Sequence, residues 1–162
     1  MKKETQHEIT FRFLAEPEHV NFGGKVHGGM VMKWIDQVAY SCAANWSGHY
    51  SVTVYVGGIR FFHPIDIGDM VELTAKIIYT GTTSMHISVD VYSTKFNGKE
   101  REKNTHCVIV FVALDKKQQP TAVPKWIPKT AQEKEMEKYA LSLMDSRKDI
   151  EEKMKPHFRG DV

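Results

Sequence analysis

The sequence predicts an α+β fold: a curved antiparallel sheet wrapped around a long central helix, followed by a C-terminal helical extension. Three observations predict it. Residues 28–46 carry Val31, Trp34, Ile35, Val38 and Cys42 at spacings of three and four, one face of a helix. Met30, Ala39, Ala43 and Trp46 extend that apolar surface round the cylinder, so burial on most sides is expected. Four long segments with strand character follow, joined by turns too short for parallel crossovers.

Each element has its own signal. EITFRFL, residues 8–14, alternates apolar and polar and reads as a first strand. Residues 15–27 form a loop with Pro17, Asn21 and Gly23–Gly24, and Gly48 closes the helix. SVTVYV, residues 51–56, is β-branched and aromatic. Gly57–Gly58 then mark a bulge, after which IRFF continues the strand until His63–Pro64. Val71, Leu73, Ala75, Ile77 and Tyr79 alternate with polar residues, and so do Met85, Ile87, Val89 and Val91. Asn97–Gly98 signals a hairpin. Residues 104–114 are apolar almost throughout and are expected to be the central strand. Pro120, Pro124 and Pro128 keep the next stretch extended. Thr130 and Glu133 form a capping box for a Glu/Lys-rich helix over residues 131–155, a solvated helix with a thin stripe of Met136, Tyr139, Leu143, Ile150 and Met154. Residues 156–162 are expected to be disordered.

Composition narrows the function classes. The chain has 162 residues and is 41% hydrophobic, enough for one core. Its net charge of +2 does not favour nucleic acid as a partner. Lys33, Asp36 and Gln37 interrupt the long apolar run, so no segment reads as membrane-spanning. The N-terminus MKKETQHEITF lacks the apolar run of a signal peptide. Cys42 and Cys107 read as core residues of a cytoplasmic protein, and no His/carboxylate spacing indicates a metal.

Asp36 stands out in the apolar helix, because a buried carboxylate must be paired, hydrogen-bonded or neutral. One reading pairs it with Lys33 or leaves it in a solvated gap. The other makes it a catalytic carboxylate behind a glycine-rich helix start. Gly28 lies eight residues earlier, about 12 Å along the axis. On this second reading a substrate carbonyl rests on the free N–H groups of the first turn while its carbon leans towards Asp36.

Asn21, Gly24, His27-Gly28-Gly29 and Asp36 together resemble the hotdog-fold acyl-coenzyme A thioesterases, in the acyl-CoA hydrolase branch of bacterial short-chain and brain-type enzymes. Val52-Thr53-Val54, Phe61 or Phe62 with Pro64-Ile65, Gly68-Asp69, and Gly81-Thr82-Thr83-Ser84 match further family motifs in order. The resemblance covers roughly residues 8–135 and divides the chain into a hotdog domain, residues 8–125, and a charged helical extension, residues 126–162. It implies hydrolysis of acyl-CoA to a carboxylic acid and coenzyme A, a place in fatty acid metabolism, and no cofactor beyond the CoA of the substrate. It implies a homodimer as the smallest active unit, with a trimer of dimers as the assembly. Carried over, Asp36 matches the catalytic carboxylate, as general base or nucleophile. Asn21 matches the asparagine supplied by the opposite protomer, and Gly28 the N–H donor to the oxyanion. Gly81, Thr82, Thr83 and Ser84 match the turn near the CoA nucleotide, where plain hairpin chemistry is the competing role. Relatives often carry a basic residue where this chain has Thr82, so phosphate contact falls to Arg60, Lys95 or Arg101.

Other residues have competing roles. His27 reads as a loop residue or a base, and His63 as structural. His86 and His106 read as surface or groove residues. Trp34 and Trp46 read as core, and Tyr40 as core or as a wall of the acyl pocket. Trp34, Tyr40 and Tyr55 point to a short or medium pocket. The alternative functions on the same fold are a non-catalytic acyl-CoA-binding protein and a hydratase or dehydratase. The latter would require His27 beside a carboxylate over the substrate.

Overall fold

A computed structural model of the chain describes residues 6–158. The N-terminal stretch read above for a signal peptide therefore lies partly outside the described residues, as do residues 159–162.

The chain runs β1 (Glu8–Leu14), a 3-10 turn (Pro17–His19), α1 (Gly28–Ser47), β2 (Ser51–Phe61), β3 (Met70–Thr80), β4 (Ser84–Thr94), β5 (Arg101–Ala113) and α2 (Ala131–Met154). All pairings are antiparallel, in the order β1-β3-β4-β5-β2. The helix α1 leaves β1 at one edge of the sheet, passes under the concave face and delivers the chain to β2 at the other edge. This is the expected hotdog arrangement. The central strand is β4, not β5 as its composition suggested. The unbroken apolar run of β5 has another cause: both of its faces are covered. Cys107, Ile109 and Phe111 pack with Ile35, Val38 and Ala39 of α1, while Val108 faces α2.

The helix α1 is less enclosed than its sequence implied. Ile35, Val38, Ala39, Cys42 and Ala43 are fully buried, but Lys33, Asp36, Gln37 and Tyr40 lie on an exposed flank. Five strands of one chain reach round only part of the cylinder.

Bulges set which side chains face which helix. In β2, the register shifts between Thr53 and Tyr55 and again between Gly57 and Arg60. The second shift is the predicted glycine bulge, and Gly58 adopts φ +64° there. The first shift has no glycine to announce it. It leaves Thr53 on the inner face opposite Phe111 and turns Tyr55 outward opposite Val110. A similar shift in β3, with Ile78 as the extra residue, turns Tyr79 outward opposite His86.

The helix α2 starts at the predicted capping box, in which the Glu133 N–H donates to Thr130 Oγ1 (3.1 Å) and Glu133 accepts from the Thr130 N–H (2.9 Å). It does not stand free in solvent as expected. Met136, Tyr139, Ala140 and Leu143 pack on Ile78, Tyr79 and Val108, on the convex face of the chain's own sheet. Leu141, Ile150 and Met154 stay exposed. His106 pins this contact: its Nδ1–H donates to Asp90 (2.9 Å), and Nε2 accepts from the Tyr139 hydroxyl (3.0 Å). Burial opposes ionisation of Asp90, but hydrogen bonds from His106 and Lys103 outweigh it and hold its carboxyl below the usual range. His86 and His106 are thus under α2 rather than on a surface. Pro156 and His157, expected to be disordered, belong to a 3-10 turn at Lys155–His157.

Cys42 and Cys107 are buried, unpaired thiols, and burial pushes them up to about 12 and about 11 respectively. At pH 8 the thiolate of either is a minor species. Both should stay unmodified by iodoacetamide in the native protein and react on addition of denaturant, read by intact mass. Rapid alkylation under native conditions would contradict the packing described.

Candidate active site

The first group of site residues gathers at the start of α1. The loop before it is held from both sides. The Val26 N–H donates to the Ile65 carbonyl (3.0 Å) and the His27 N–H to the His19 carbonyl (3.0 Å). Lys25 pairs with Asp66, and Lys95 bridges Asp66 (2.7 Å) and Asp69 (3.0 Å). Hydrogen bonds from Lys25 and Lys95 hold the Asp66 carboxyl below its ordinary range. Within this clasp the Asn21 side-chain oxygen accepts from the N–H groups of Gly23 (2.9 Å) and Lys25 (3.2 Å). Its amide nitrogen has no partner among the described residues, so Asn21 is presented as a donor.

The helix then begins without a side-chain cap: His27 occupies the cap position and makes no capping bond. The Met30 and Val31 N–H groups donate to the His27 carbonyl, whereas those of Gly28 and Gly29 find no acceptor among the described residues. Two open N–H groups at the positive end of a 20-residue helix form a ready anion site. A Cβ at Gly29 would meet nothing within 4 Å, and one at Gly28 only the Phe61 ring at 3.6 Å. The packing of this chain alone therefore does not demand glycine at either position, and the space above them is available to a ligand. Asn21, Gly28, Phe61, Phe62 and Asn104 line a cleft of about 400 Å³ there.

Asp36 belongs to a second group. It accepts a 2.6 Å hydrogen bond from the Thr53 hydroxyl on β2 and makes no ion pair with Lys33. The other carboxylate oxygen has no partner among the described residues. Thr53 orients the carboxylate and leaves one oxygen free to take a proton or to attack. Tyr40 follows on the same exposed flank, beside Tyr50 (ring centroids 6.2 Å apart), rather than in the core. Trp34 is core, wedged between Phe13 and His19. Tyr55 lies on the convex face, so of the three bulky residues read as shaping the acyl pocket only Tyr40 adjoins Asp36.

The two groups do not meet within one chain. Gly28 and Asp36 sit about 12 Å apart along a continuous helix. An oxyanion donor must lie about 3 Å from the oxygen it serves, and a base within similar reach of the attacking water. The single-helix arrangement read from spacing is therefore corrected: one carbonyl cannot touch both groups of the same chain.

The candidate CoA contacts also separate. Gly81-Thr82-Thr83-Ser84 joins β3 to β4, with the Gly81 N–H on the Ser84 carbonyl (2.9 Å) and the Thr82 carbonyl taken by the Val123 N–H (2.9 Å). Arg60 pairs with His106 on β5, whereas Ser84 is registered near Val112, about 20 Å further along that strand. Lys95 is committed to the loop clasp. Arg101 binds Glu72 (3.0 Å) and lies over the Tyr92 ring (3.6 Å). Lys125 is exposed and two residues beyond Val123, which makes it the basic residue beside the turn that sequence reasoning missed. Thr53 was missed as well. Its one signal was a hydroxyl between Val52 and Val54, and the bulge that keeps it inward is not legible in the sequence.

Among the described residues, no helix is long and apolar enough to cross a membrane. The thioesterase superfamily model matches residues 23–95, from the loop to the end of β4. Over 136 residues the chain is 32% identical to protein VdlD of Helicobacter pylori, covering 84% of this chain and 76% of that one. It is 32% identical over 122 residues to the acyl-CoA thioester hydrolase YciA of Escherichia coli, covering 74% of this chain and 92% of that one. An apo-hexameric acyl-CoA thioesterase superposes with TM-score 0.85 at 29% identity, over 88% of this chain and 92% of that one. Staphylococcus aureus acyl-CoA hydrolase, solved with butyryl coenzyme A and coenzyme A, superposes with TM-score 0.85 at 26% identity over 96% of both chains. Further structures of that enzyme carry single alanine replacements of an asparagine, an aspartate and a threonine. The wrapped helix, the 32% identity to an acyl-CoA thioester hydrolase and the superposition on acyl-CoA hydrolases lead to one conclusion: this chain belongs to the thioesterase superfamily, among the hotdog-fold acyl-CoA thioesterases.

Proposed function

We propose that the protein hydrolyses acyl-CoA to a carboxylic acid and coenzyme A at sites built from two protomers. Each site combines Asp36 and Thr53 of one chain with Asn21 and the Gly28 N–H of the other. One observation carries the reading, the Thr53–Asp36 hydrogen bond on an exposed flank of α1. Its spacing supports it. The asparagine and aspartate replaced in the S. aureus enzyme are 15 positions apart, and the aspartate and threonine 17. Asn21, Asp36 and Thr53 repeat both separations.

The chemistry follows from the groups present. The free oxygen of Asp36 takes a proton from water as the hydroxyl attacks the thioester carbon. The negative charge that develops on the carbonyl oxygen meets the Gly28 N–H, with the Asn21 amide holding the water. Collapse of the tetrahedral adduct breaks the C–S bond, and the CoA thiolate leaves and is protonated. A lost oxyanion donor of this kind costs about 3–4 kcal/mol of transition-state stabilisation.

The edge strand β2 supports the dimer. It presents Val54, Val56 and Phe61 to solvent beside unpaired backbone groups, the kind of edge that pairs with another strand. Pairing two β2 edges brings the bare flank of each α1 against the other chain. Three such dimers would make the hexamer found in the apo-hexameric relative. The turn 81–84, with Lys125 beside it, is the place for the CoA nucleotide. Among the described residues, the loop histidine His27 makes no contact with a carboxylate of the kind that would favour a hydratase.

A panel of acyl-CoA chain lengths with a thiol-reactive dye tests the reaction itself. Release of free CoA is expected of a thioesterase, and neither a hydratase nor a binding protein would produce it. Asp36→Asn and Asn21→Ala should each lower kcat by about a hundredfold or more with the melting temperature unchanged. Thr53→Val should lower kcat by about tenfold, the loss expected of an orienting hydrogen bond. Near-normal turnover in any of the three removes that residue from the mechanism.

Val56→Lys should shift the protein to monomers in analytical ultracentrifugation and abolish turnover while its circular dichroism spectrum is kept. An active monomer would refute the shared site. Lys125→Ala should raise KM for acyl-CoA several-fold with kcat preserved, and an unchanged KM would place the CoA phosphates elsewhere.

A further inference from the structure

A cavity of about 150 Å³ lies between α2 and the convex face of the sheet, on the side away from Asp36. Val108, Val110, Leu143 and Ile150 make its walls apolar. An apolar pocket of this size accommodates a benzene-sized molecule.

Two polar groups in the lining, His86 and Arg147, keep hydrogen-bonding capacity unspent among the described residues. His86 on β4 is only 5% exposed and opens onto the cavity. Its ring packs edge-on to Tyr79 (5.1 Å), and its nitrogens have no hydrogen-bond partner among the described residues. Nearly all buried polar groups in folded proteins are partnered, so an idle imidazole facing a cavity calls for an occupant. Burial, and after it the Arg147 charge, pushes this histidine down to about 4, which leaves a neutral ring with one N–H to donate at physiological pH. Arg147 on α2 donates through Nε to Glu151 (2.7 Å) and stacks over the Tyr55 ring (4.3 Å). Its two terminal NH₂ groups have no acceptor among the described residues.

The stack depends on the glycine bulge. A Cβ at Gly57 would come within 2.6 Å of the Tyr55 ring, so only a glycine lets that ring lie flat beneath Arg147. Glu151 occupies the one remaining edge of the guanidinium. Arg147 and His86 line the same cavity, so the free donors of both border an otherwise apolar space. A planar anion with two oxygens satisfies both, whereas a bare inorganic anion would leave the apolar walls empty.

We propose that this cavity is a binding site for a small carboxylate with an apolar tail no larger than about a phenyl ring, the head held by Arg147 and His86 and the tail among Val108, Val110, Leu143 and Ile150. The proposal does not rest on the thioesterase reading. It would hold for a protein with no hydrolytic activity, and its test reads binding alone.

The full-length protein is titrated with benzoate, and separately with benzyl alcohol, while the histidine ring signals are followed by NMR. The His86 signal is assigned from its loss in His86→Gln. Benzoate is expected to shift the His86 signal saturably, and benzyl alcohol to bind at least about tenfold more weakly. Arg147→Met keeps the stem over Tyr55 and removes the fork, so it should weaken benzoate about tenfold or more and leave benzyl alcohol unchanged. Arg147→Lys should fall between the two. No saturable shift of His86 with benzoate in the wild-type protein overturns the proposal. So does equal affinity for acid and alcohol, or a benzoate response that Arg147→Met leaves intact.

Discussion

The hydrogen bond from Thr53 to Asp36 joins the edge strand β2 to the one flank of α1 that the sheet leaves bare. Both partners are exposed in the single chain. Among the described residues that carboxylate makes no ion pair. The hydroxyl spends one of its oxygens and leaves the other available. The same geometric fact, five strands around a twenty-residue helix, exposes the carboxylate and leaves β2 with an unpaired edge. In the proposed function, chemistry and assembly are two results of a single shortage of strands.

Bulges decide which face of the sheet each helix meets. Strict alternation along β2 would send Thr53 and Tyr55 to the same side. The extra residue at Val54 separates them, one to the concave face by Asp36 and the other to the convex face under Arg147. The extra residue in β3 does the same for Ile77 and Tyr79, so that Tyr79 joins Ile78 in an apolar platform for α2. Two helices can then pack on opposite faces of one sheet, and this double cover makes β5 apolar on both sides without its being central.

The loop before α1 is held by charge rather than by apolar packing. Lys25, Asp66, Lys95 and Asp69 tie it to the turn before β3, and Asn21 closes the loop on itself through Gly23 and Lys25. This fixes the direction in which the Asn21 amide and the first N–H groups of α1 point before any ligand arrives. Preorganised donors of this kind cost no reorganisation when charge develops in front of them. It also explains why lysines that looked free in the sequence, Lys95 above all, are not available for phosphate.

Periodicity, turn residues and caps were enough to place the five strands and two helices, the bulge at Gly57–Gly58 and the capping box at Thr130, because these depend on near neighbours in the chain. The resemblance of the glycine loop and Asp36 to a family was legible for the same reason: the motif is short and contiguous. What the sequence could not determine was anything that depends on parity or distance. The silent bulge at Val54, the docking of α2 on its own sheet, and the pairing of Asp36 with Thr53 rather than Lys33 all arise when distant segments are brought together. A single residue inserted in a strand reverses every side chain beyond it, and no local propensity records that reversal.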